Sequence, residues 1–272
     1  MLAAHRSLGL FFGLLIDPLD GLGPLVGLLV ISAVTGIALL FAFRWTSNPA
    51  AIRTARRHAQ AHLLAVRIYR EDLVVVLASQ VRFLAALGRY MGRMLQPFLV
   101  LLVPFALLFA HLDARYGRRA LQPGERALVK VFAERATLDQ WRLESADGVE
   151  VETPPVRIPS RSEITWRIRA GSLGPSELLL VAGERRVVKQ VRVASSTTGA
   201  SPRRMAPSFA SLFLAPSESP IEDGAGVDEI EVVYPPLAFQ VFRWQTDWIV
   251  VFLVVSAAVA IALRRRAGVE FW

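Results

Sequence analysis

The organisation of the chain is decided by residues 44 to 94, which read RWTSNPAAIRTARRHAQAHLLAVRIYREDLVVVLASQVRFLAALGRYMGRM. This stretch holds nine arginines against Glu71 and Asp72, a net charge of +7. It lies between residues 21 to 43 and residues 94 to 110, two apolar runs that contain no ionisable side chain. Runs of about 20 apolar residues are long enough to cross a bilayer. The sequence therefore predicts a water-exposed basic loop between two membrane spans.

Within the loop, a cap and a proline predict the start of a helix at Ser47-Asn48-Pro49. Apolar residues then recur at spacings of three and four: Ile52, Ala55, Ala59, Leu63 and Val66. After a charged break at Arg70-Glu71-Asp72, a second series forms a heptad seam: Leu73, Leu77, Gln80, Leu84, Leu87, Met91 and Met94. The pattern predicts an antiparallel helical hairpin, and the alternative is one long helix lying along the membrane surface.

The distribution of charge predicts the orientation of the spans, because Lys and Arg in short loops stay on the cytoplasmic side. Residues 1 to 23 carry a net charge of −1, and the basic loop carries +7. Residues 111 to 247 are neutral, with 18 basic and 18 acidic side chains, and the C-terminal tail after the last apolar run carries +2. We therefore expect a cytoplasmic hairpin and C-terminus, with the N-terminus and the neutral segment outside.

Composition limits the class of protein. The chain has 272 residues, of which 53% are hydrophobic, and its mean hydropathy is positive. It is too apolar for an ordinary soluble protein and too charged for membrane spans alone. The absence of cysteine excludes disulfides, thiol nucleophiles, iron–sulfur clusters and cysteine-bound zinc. A mixed membrane and aqueous architecture follows.

After Pro123 the apolar period changes from that of a helix to that of a strand. Strands are predicted at residues 127–132, 148–152, 163–169, 177–181, 187–193 and 228–234. These short strands indicate an antiparallel, immunoglobulin-like sandwich, with Trp166 as a candidate core aromatic. Residues 195 to 226 are expected to form a long loop, in which residues 209 to 214 would touch the membrane surface. Trp244 and Trp248 are expected to form an interfacial belt before a third span.

The predicted fold class is a membrane α-helical protein, with three spans and a cytoplasmic helical hairpin, plus an all-β immunoglobulin-like sandwich. The predicted segments are residues 1–21, an outer interfacial segment; 22–43, the first span; 44–94, the basic hairpin; 95–112, the second span; 113–236, the extracytoplasmic sandwich; 237–247, an interfacial linker; 248–263, the third span; and 264–272, a cytoplasmic tail.

The sequence indicates no catalytic centre. His58 and His62 have the i, i+4 spacing of two metal ligands, but no acidic third ligand is nearby, and a solvated helix face is the favoured interpretation. His111 near Asp113 has the same interpretation. No Gly-x-Ser-x-Gly, Walker or dinucleotide-binding pattern occurs. We therefore expect no enzyme activity, no metal and no cofactor.

The basic hairpin suggests three kinds of partner: nucleic acid, anionic lipids and a transmembrane segment of another protein. Nucleic-acid binding is disfavoured, because only Tyr69 and Tyr90 stand among the arginines. Contact with anionic lipid headgroups is expected for arginines beside a cytoplasmic span end. The third interpretation is a polar groove, formed by the hairpin and the spans, that receives a transmembrane segment of another protein.

The order of these parts resembles the YidC/Oxa membrane insertase superfamily. The resemblance is carried by residues 44 to 49, Arg-Trp-Thr-Ser-Asn-Pro, and by residues 94 to 97, Met-Leu-Gln-Pro, which open the second span. It covers residues 20 to 112 and the third span. Within the superfamily, the chain is most similar to the three-span branch that includes archaeal proteins and the third subunit of the ER membrane protein complex.

The resemblance implies a cofactor-free insertase or membrane-protein chaperone with a hydrophilic groove open to the cytoplasm. The groove residues it implies are Arg44, Arg53, Arg82, Met91 and Met94. The expected partners are anionic lipids, client transmembrane segments or nascent chains, and a periplasmic protein. The expected location is a bacterial inner membrane. The alternative function is that of a membrane-anchored interaction or scaffold protein, which displays the sandwich without insertase activity.

Overall fold

The computed structural model describes residues 2–16, 18–19, 23–46, 54, 57, 73–145, 148–195, 199–241 and 243–265. The chain divides into two compact units. The first consists of Met1–Ile31 with Ala106–Leu253, and the second of Ser32–Phe105 with Val254–Trp272. Every described strand belongs to the first unit.

The α-helices of the described residues are α1 (Leu2–Ile16), α2 (Pro24–Thr46), α3 (Leu73–Tyr116), α4 (Ser211–Leu214) and α5 (Trp248–Leu263). Two segments of 19 residues are long and apolar enough, by length and composition, to cross a membrane: Pro24–Ala42 in α2 and Phe98–Tyr116 in α3. The helix α5 is equally apolar in character but shorter, with 16 residues. Its bounds are those predicted for the third span.

The second predicted span and the second arm of the hairpin are one continuous helix. The helix α3 has 44 residues and shows no end at residues 94 and 95, where the sequence pattern separates hairpin from span. It also continues past Pro97 and Pro104, and it ends beyond the predicted residue 112, at Tyr116. A proline removes one backbone donor, and the loss of a single bond leaves so long a helix helical on both sides.

Two helices approach very closely within the second unit. A Cβ atom added to Gly36 of α2 would lie 2.4 Å from the carbonyl oxygen of Ser256 in α5 and 3.1 Å from its Cα. Small residues allow helix backbones to come this near. The glycine at position 36 therefore fixes the distance between these helices.

The strands form two principal antiparallel sheets. Their bounds are β1 (Arg126–Ala133), β2 (Arg142–Ser145), β3 (Val149–Val151), β4 (Val156–Ile158), β5 (Glu163–Ala170), β6 (Gly174–Ala182), β7 (Arg185–Val193), β8 (Arg203–Met205) and β9 (Val227–Val232). One sheet has the order β3-β5-β1-β9-β8, with β4 also paired to β5, and the other has the order β2-β6-β7. The six predicted strands are confirmed.

Both sheets contribute to one hydrophobic core. Alternate residues of β1 and β5 face inward, among them Val129, Val131 and Trp166, as the period of two requires. Trp166 is therefore a core residue, as predicted. Trp141, which precedes β2, is also fully buried in this core. It lies outside the alternating pattern, which is why the sequence did not single it out.

Three predictions for the segments around the sheets need correction. Residues 195 to 226 are not only a loop, because β8 pairs with β9 and α4 follows it. Residues 237 to 247 are not a linker but a hairpin of β10 (Ala238–Val241) and β11 (Trp244–Asp247). Trp248 is not an exposed anchor: it is 3% exposed, and its indole N–H donates to Asp113 Oδ1 at 3.3 Å. In sequence, a mixture of aromatic and charged residues resembles an interfacial belt. In the structure, these residues form the β10–β11 hairpin and the contact between Trp248 and Asp113.

The segment between α3 and β1 is bonded to the sheets along its length. The N–H groups of Arg119 and Leu121 donate to the carbonyls of Pro235 and Arg192, and the N–H of Leu237 donates to Gly117. The guanidinium of Arg119 also forms two hydrogen bonds of 2.8 Å with the carboxylate of Glu125. The end of α3 is thereby fixed to the two-sheet domain.

A low pH is expected to weaken the interaction between Arg119 and Glu125 and so to destabilise this segment. Hydrogen bonding from Arg119 holds the pKa of Glu125 below its ordinary value near 4.5. The stabilisation is therefore complete above pH 4.5 and is lost as the pH falls through the lower pKa of the folded state. The variant Glu125→Gln should lose about 0.5 to 1 kcal/mol at neutral pH and converge with the wild-type chain in acid. Thermal unfolding of the full chain in a neutral detergent measures this effect.

The matched control is Glu184→Gln, in the exposed turn between β6 and β7. This variant should follow the wild-type stability across the whole pH range. An identical difference between wild type and Glu125→Gln at neutral and acidic pH would contradict the role given to the Arg119–Glu125 pair.

Candidate functional site

The predicted groove residues that the structure describes are on helices and in contact with solvent. Arg44 lies in the last turn of α2 and is exposed. Arg82 and Met91 are exposed on α3, Met91 by 47%. Met94 also belongs to α3, but its side chain lies outside the described part, as does the whole of Arg53. The two cavities described below contain none of these residues.

The first arm of the predicted hairpin lies outside the described residues, apart from Thr54 and Arg57, which are helical. The predicted cap at Ser47-Asn48-Pro49 and the pair His58 and His62 fall in the part that is not described. The choice between a hairpin and one long surface helix therefore stays a prediction.

The exposed apolar face of α3 is the feature of this region that bears on function. Its members are Val81, Leu84, Leu87, Met91 and Leu95. Leu84 is 63% exposed, although it was predicted to lie in the closed seam of the hairpin. The less exposed side instead carries Phe83, Ala86 and Tyr90, at the same spacing of three and four. The predicted spacing of the covered residues is correct, but each of them lies one position before the residue that was predicted.

The size of the side chains explains the shift of phase. Phe83 and Tyr90 are partly buried and Ala86 is buried, and aromatic side chains can bury a larger apolar area than leucine. Arg82 and Arg89 are also exposed and, at 100° per residue, lie between the covered side and the apolar side. The exposed surface of α3 is therefore an apolar stripe bordered by arginines, which we call the α3 face.

A second candidate lies in the first unit, where the start of α2 and the end of α3 meet the two-sheet domain. A cavity of about 320 Å³ opens there, which we call the junction cavity. It is lined by Pro24, which begins α2, by Arg115 and Tyr116, which end α3, and by strand and loop residues. Those include Gln190, Arg192, Ser201, Glu218 and Tyr234. The lining is rich in groups that form hydrogen bonds.

A buried ion pair contributes one residue, Glu218, to the lining of the junction cavity. Lys189 in β7 is 1% exposed, and its ammonium group donates to Glu218 and to the carbonyls of Gln190 and Ser201, at 3.1 and 3.0 Å. Burial lowers the pKa of Lys189 and raises the pKa of Glu218. The pair therefore holds the segment around residues 201 and 218 against β7, and burial opposes its charged form.

Tyr234 supplies a neutral donor to the same cavity. Its hydroxyl accepts a hydrogen bond of 3.2 Å from the N–H of Arg192 and retains its own proton. Burial raises the pKa of this phenol, so the proton stays in place under ordinary conditions. The guanidinium of Arg192 donates to the carbonyl of Gly199 at 3.1 Å.

The N-terminal helix packs against the same end of the domain. The ring of Phe12 in α1 stacks on His111 of α3 at 4.0 Å, and the Nε2 atom of His5 lies 3.0 Å from the carbonyl of Ala215. His111 is buried and bonds through Nδ1 to the carbonyl of Leu107, so it is not the solvated residue that was expected. These contacts give His111 a role in packing.

A second cavity of about 290 Å³ lies nearby, with Asp113, Arg118, Arg203 and Glu231 in its lining. Its lining has two positive and two negative side chains, so its net charge is zero. Phe209, 66% exposed, lies in the segment predicted to touch the membrane surface, and that contact stays a prediction. Among the described residues, no group of three His, Asp or Glu side chains is placed to hold a metal ion.

The sequence contains a signal for the burial of Lys189. Val187, Val191 and Val193 share the inward face of β7, and the period of two places Lys189 on that face. A lysine among inward valines predicts a buried ion pair. No pattern marks Glu218, because it lies in a loop whose course depends on the whole domain.

Comparisons with known proteins add little to this description. No protein-family model matches the sequence, and no curated protein matches it. A solved structure, domains 5–6 of the S-layer protein SbsC, is 15% identical and superimposes with a TM-score of 0.22. The match covers 44% of this chain and 58% of that chain.

Proposed function

We propose that the chain is an insertase-like membrane protein that assists the insertion or folding of other membrane proteins, without a cofactor and without enzyme activity. The observation that supports this function best is the α3 face. Its leucines and Met91 offer an apolar surface that suits varied transmembrane segments, because the flexible thioether of methionine adapts to different partners. The bordering arginines and Arg44 would attract acidic flanks of a client.

The proposal includes an arrangement in the membrane. The helices α2, α3 and α5 would cross a bacterial inner membrane, with the α3 face on the cytoplasmic side and the two-sheet domain outside. The apolar segments of α2 and α3 and the charge distribution support this orientation. Protease added to intact spheroplasts should cleave the two-sheet domain and spare Arg44 and the α3 face. Cleavage within residues 44 to 94 would contradict the orientation.

Site-specific photocrosslinking tests the function itself. A crosslinker at Leu84 or Met91 should capture stalled nascent chains that expose an apolar segment, and a crosslinker at Arg186 on the opposite side of the membrane should not. A probe at Ala86, on the covered side of α3, is the matched control within the same helix. Equal capture from positions 84 and 86 would contradict a client-binding α3 face.

Charge reversal tests the part played by Arg44. We expect Arg44→Glu to lower the insertion of a client with an acidic flank by about fivefold, which corresponds to about 1 kcal/mol of attraction at the membrane surface. Arg44→Lys should retain the activity. Insertion into proteoliposomes measures both variants. An unchanged rate for Arg44→Glu would remove Arg44 from the proposed groove.

We propose further that the two-sheet domain is immunoglobulin-like. In constant-type immunoglobulin domains the sheets are ABED and CFG. If β1, β2, β3, β5, β6 and β7 correspond to strands B to G, the observed orders β3-β5-β1-β9 and β2-β6-β7 follow that arrangement. The C-terminal strand β9 then takes the place of strand A. Pairing order and the shared core support this assignment.

A scaffold protein is the second candidate function. What favours it is the bonding of residues 117 to 125 to the sheets, which holds the domain in a fixed position at the end of α3. Such a protein would display the domain to a periplasmic partner. Depletion followed by comparison of membrane proteomes separates the two functions. Loss of membrane proteins with few spans supports insertion, and an unchanged profile supports the scaffold.

A further inference from the structure

The N-terminal helix α1 is apolar on two opposite sides. Residues 8 to 16 contain only apolar side chains and glycine. One side of the helix is buried in the first unit, and its members are His5, Phe12 and Ile16. The opposite side, at 100° per residue, is exposed, and its members are Leu10, Phe11 and Leu14. A helix that is apolar all round is found in a protein core or in a membrane. The exposed side of α1 therefore needs an apolar environment that the described residues do not supply.

A loop beside α1 has the same character. Residues 206 to 220, which we call the α4 loop, contain α4 and join β8 to the segment before β9. The ends of the loop meet, since the N–H of Ile221 donates to the carbonyl of Met205 at 2.8 Å. Before Glu218 the loop has no charged side chain. Its exposed large apolar residues are Phe209 and Leu214. Compact loops whose ends meet are frequently functional.

Contacts within the first unit hold α1 beside the α4 loop. The Nε2 atom of His5 lies 3.0 Å from the carbonyl oxygen of Ala215, the residue that follows α4. At the other end of the loop, the ion pair of Glu218 with Lys189 ties the chain to β7. The exposed apolar residues of α1 and of the α4 loop thus lie on adjacent, fixed elements. We call them together the α1–α4 surface.

The position of this surface along α3 indicates its environment. The ring of Phe12 stacks on His111, and Leu214 lines a cavity together with Ala110 of α3. His111 lies about 8 Å along the helix from the end of the apolar segment Phe98–Tyr116, at 1.5 Å per residue. If this segment crosses the membrane, as proposed above, α1 and the α4 loop lie at the depth of the boundary between headgroups and acyl chains. Helices that lie in the membrane plane bury their apolar side at this depth.

We propose that the α1–α4 surface contacts the acyl chains of the outer leaflet. The two-sheet domain would then be held to the membrane by α1 and the α4 loop, in addition to the helices that cross it. Acyl chains match the surface because its exposed side chains are large and apolar and the sequence around them is uncharged. Arg6 is exposed near the start of α1, where its long side chain can reach the headgroups. The sequence predicted two separate membrane contacts, and the contact between His5 and Ala215 joins them.

The experiment measures the distance of single positions from the acyl chains. The chain contains no cysteine, so one introduced cysteine can carry a fluorescent NBD label at a chosen position. The full chain, with the label at Leu14→Cys or Phe209→Cys, would be reconstituted in vesicles of phosphatidylcholine and phosphatidylglycerol. Both side chains are exposed, Leu14 by 81%, so the substitutions leave the core unchanged. We expect both labels to lose emission when the lipids carry a nitroxide on the acyl chain.

Two exposed valines provide the controls, Val254 in α5 and Val156 in β4, exposed by 62% and 58%. A label at Val254→Cys should be quenched about as strongly as the labels at positions 14 and 209, and a label at Val156→Cys should keep its emission. The inference rests on the proposed membrane arrangement, and the label at position 254 tests that arrangement separately. Quenching at position 254 without quenching at positions 14 and 209 would overturn the lipid contact alone. Equal quenching at positions 14 and 156 would overturn it as well.

Discussion

Glu218→Gln is expected to lower the free energy of unfolding of the two-sheet domain by about 3 to 5 kcal/mol. The substitution replaces the carboxylate of a buried ion pair with a neutral amide, so the ammonium group of Lys189 keeps only uncharged acceptors, among them the carbonyls of Gln190 and Ser201. A buried charge that has lost its counter-charge destabilises the folded state. Denaturant-dependent hydrogen exchange of β6 and β7 amides in the full chain measures the loss.

The double variant Lys189→Met/Glu218→Gln is the control for this interpretation. Burial shifts the pKa of both groups toward the neutral form, so the charged pair is held against a desolvation cost. Removing both charges should restore most of the stability, because an apolar replacement of a buried pair is often neutral or stabilising. If the double variant were as unstable as Glu218→Gln, packing rather than charge would explain the effect.

Gly36→Ala is expected to destabilise the second unit by about 3 kcal/mol, the upper end of the range for overpacking. The new methyl group would lie 2.4 Å from the carbonyl oxygen of Ser256, and the obstructing atoms belong to the backbone of α5. No change of rotamer relieves that contact, so the helices must separate. Thermal unfolding of the full chain in detergent, followed by gel filtration, measures the loss of the folded form.

Gly92→Ala is the matched control, because the methyl group that it adds to α3 meets no atom within 4 Å apart from the neighbouring backbone of its own helix. It should be neutral, or should stabilise the helix by up to about 1 kcal/mol through the higher helix propensity of alanine. Ser256→Ala should not rescue Gly36→Ala, since the contact is with the main chain. Equal stability of the two glycine variants would show that α2 and α5 do not pack through position 36.

The sequence patterns predicted the individual helices and strands well, and the contacts between them less well. Alternation of apolar residues located six strands, since it follows directly from the two faces of a sheet. The same reasoning placed a seam on α3 through Leu84 and Met91, but the less exposed residues there are Phe83, Ala86 and Tyr90. Both stripes have helical spacing, and only the partner decides which one is covered.

The candidate sites depended on contacts between distant parts of the chain. The junction cavity combines Pro24, Arg115, Arg192 and Glu218, which no local pattern connects. Trp248 was misinterpreted for the same reason: a tryptophan before an apolar helix is typical of an interface, yet here its partner is Asp113. Long-range pairings of this kind follow from the topology of the fold and not from the spacing of residues.

The pairing of β1 with β9 has a consequence for the evolution of the chain. The first long strand of the domain and its last are neighbours, and Val129 lies opposite Val232. The polypeptide thus enters and leaves the domain at adjacent points, as in a cassette that can be inserted into an existing loop without moving the flanking helices apart. A shortened chain that joins α3 to α5 through a brief flexible connector should therefore keep its helices together.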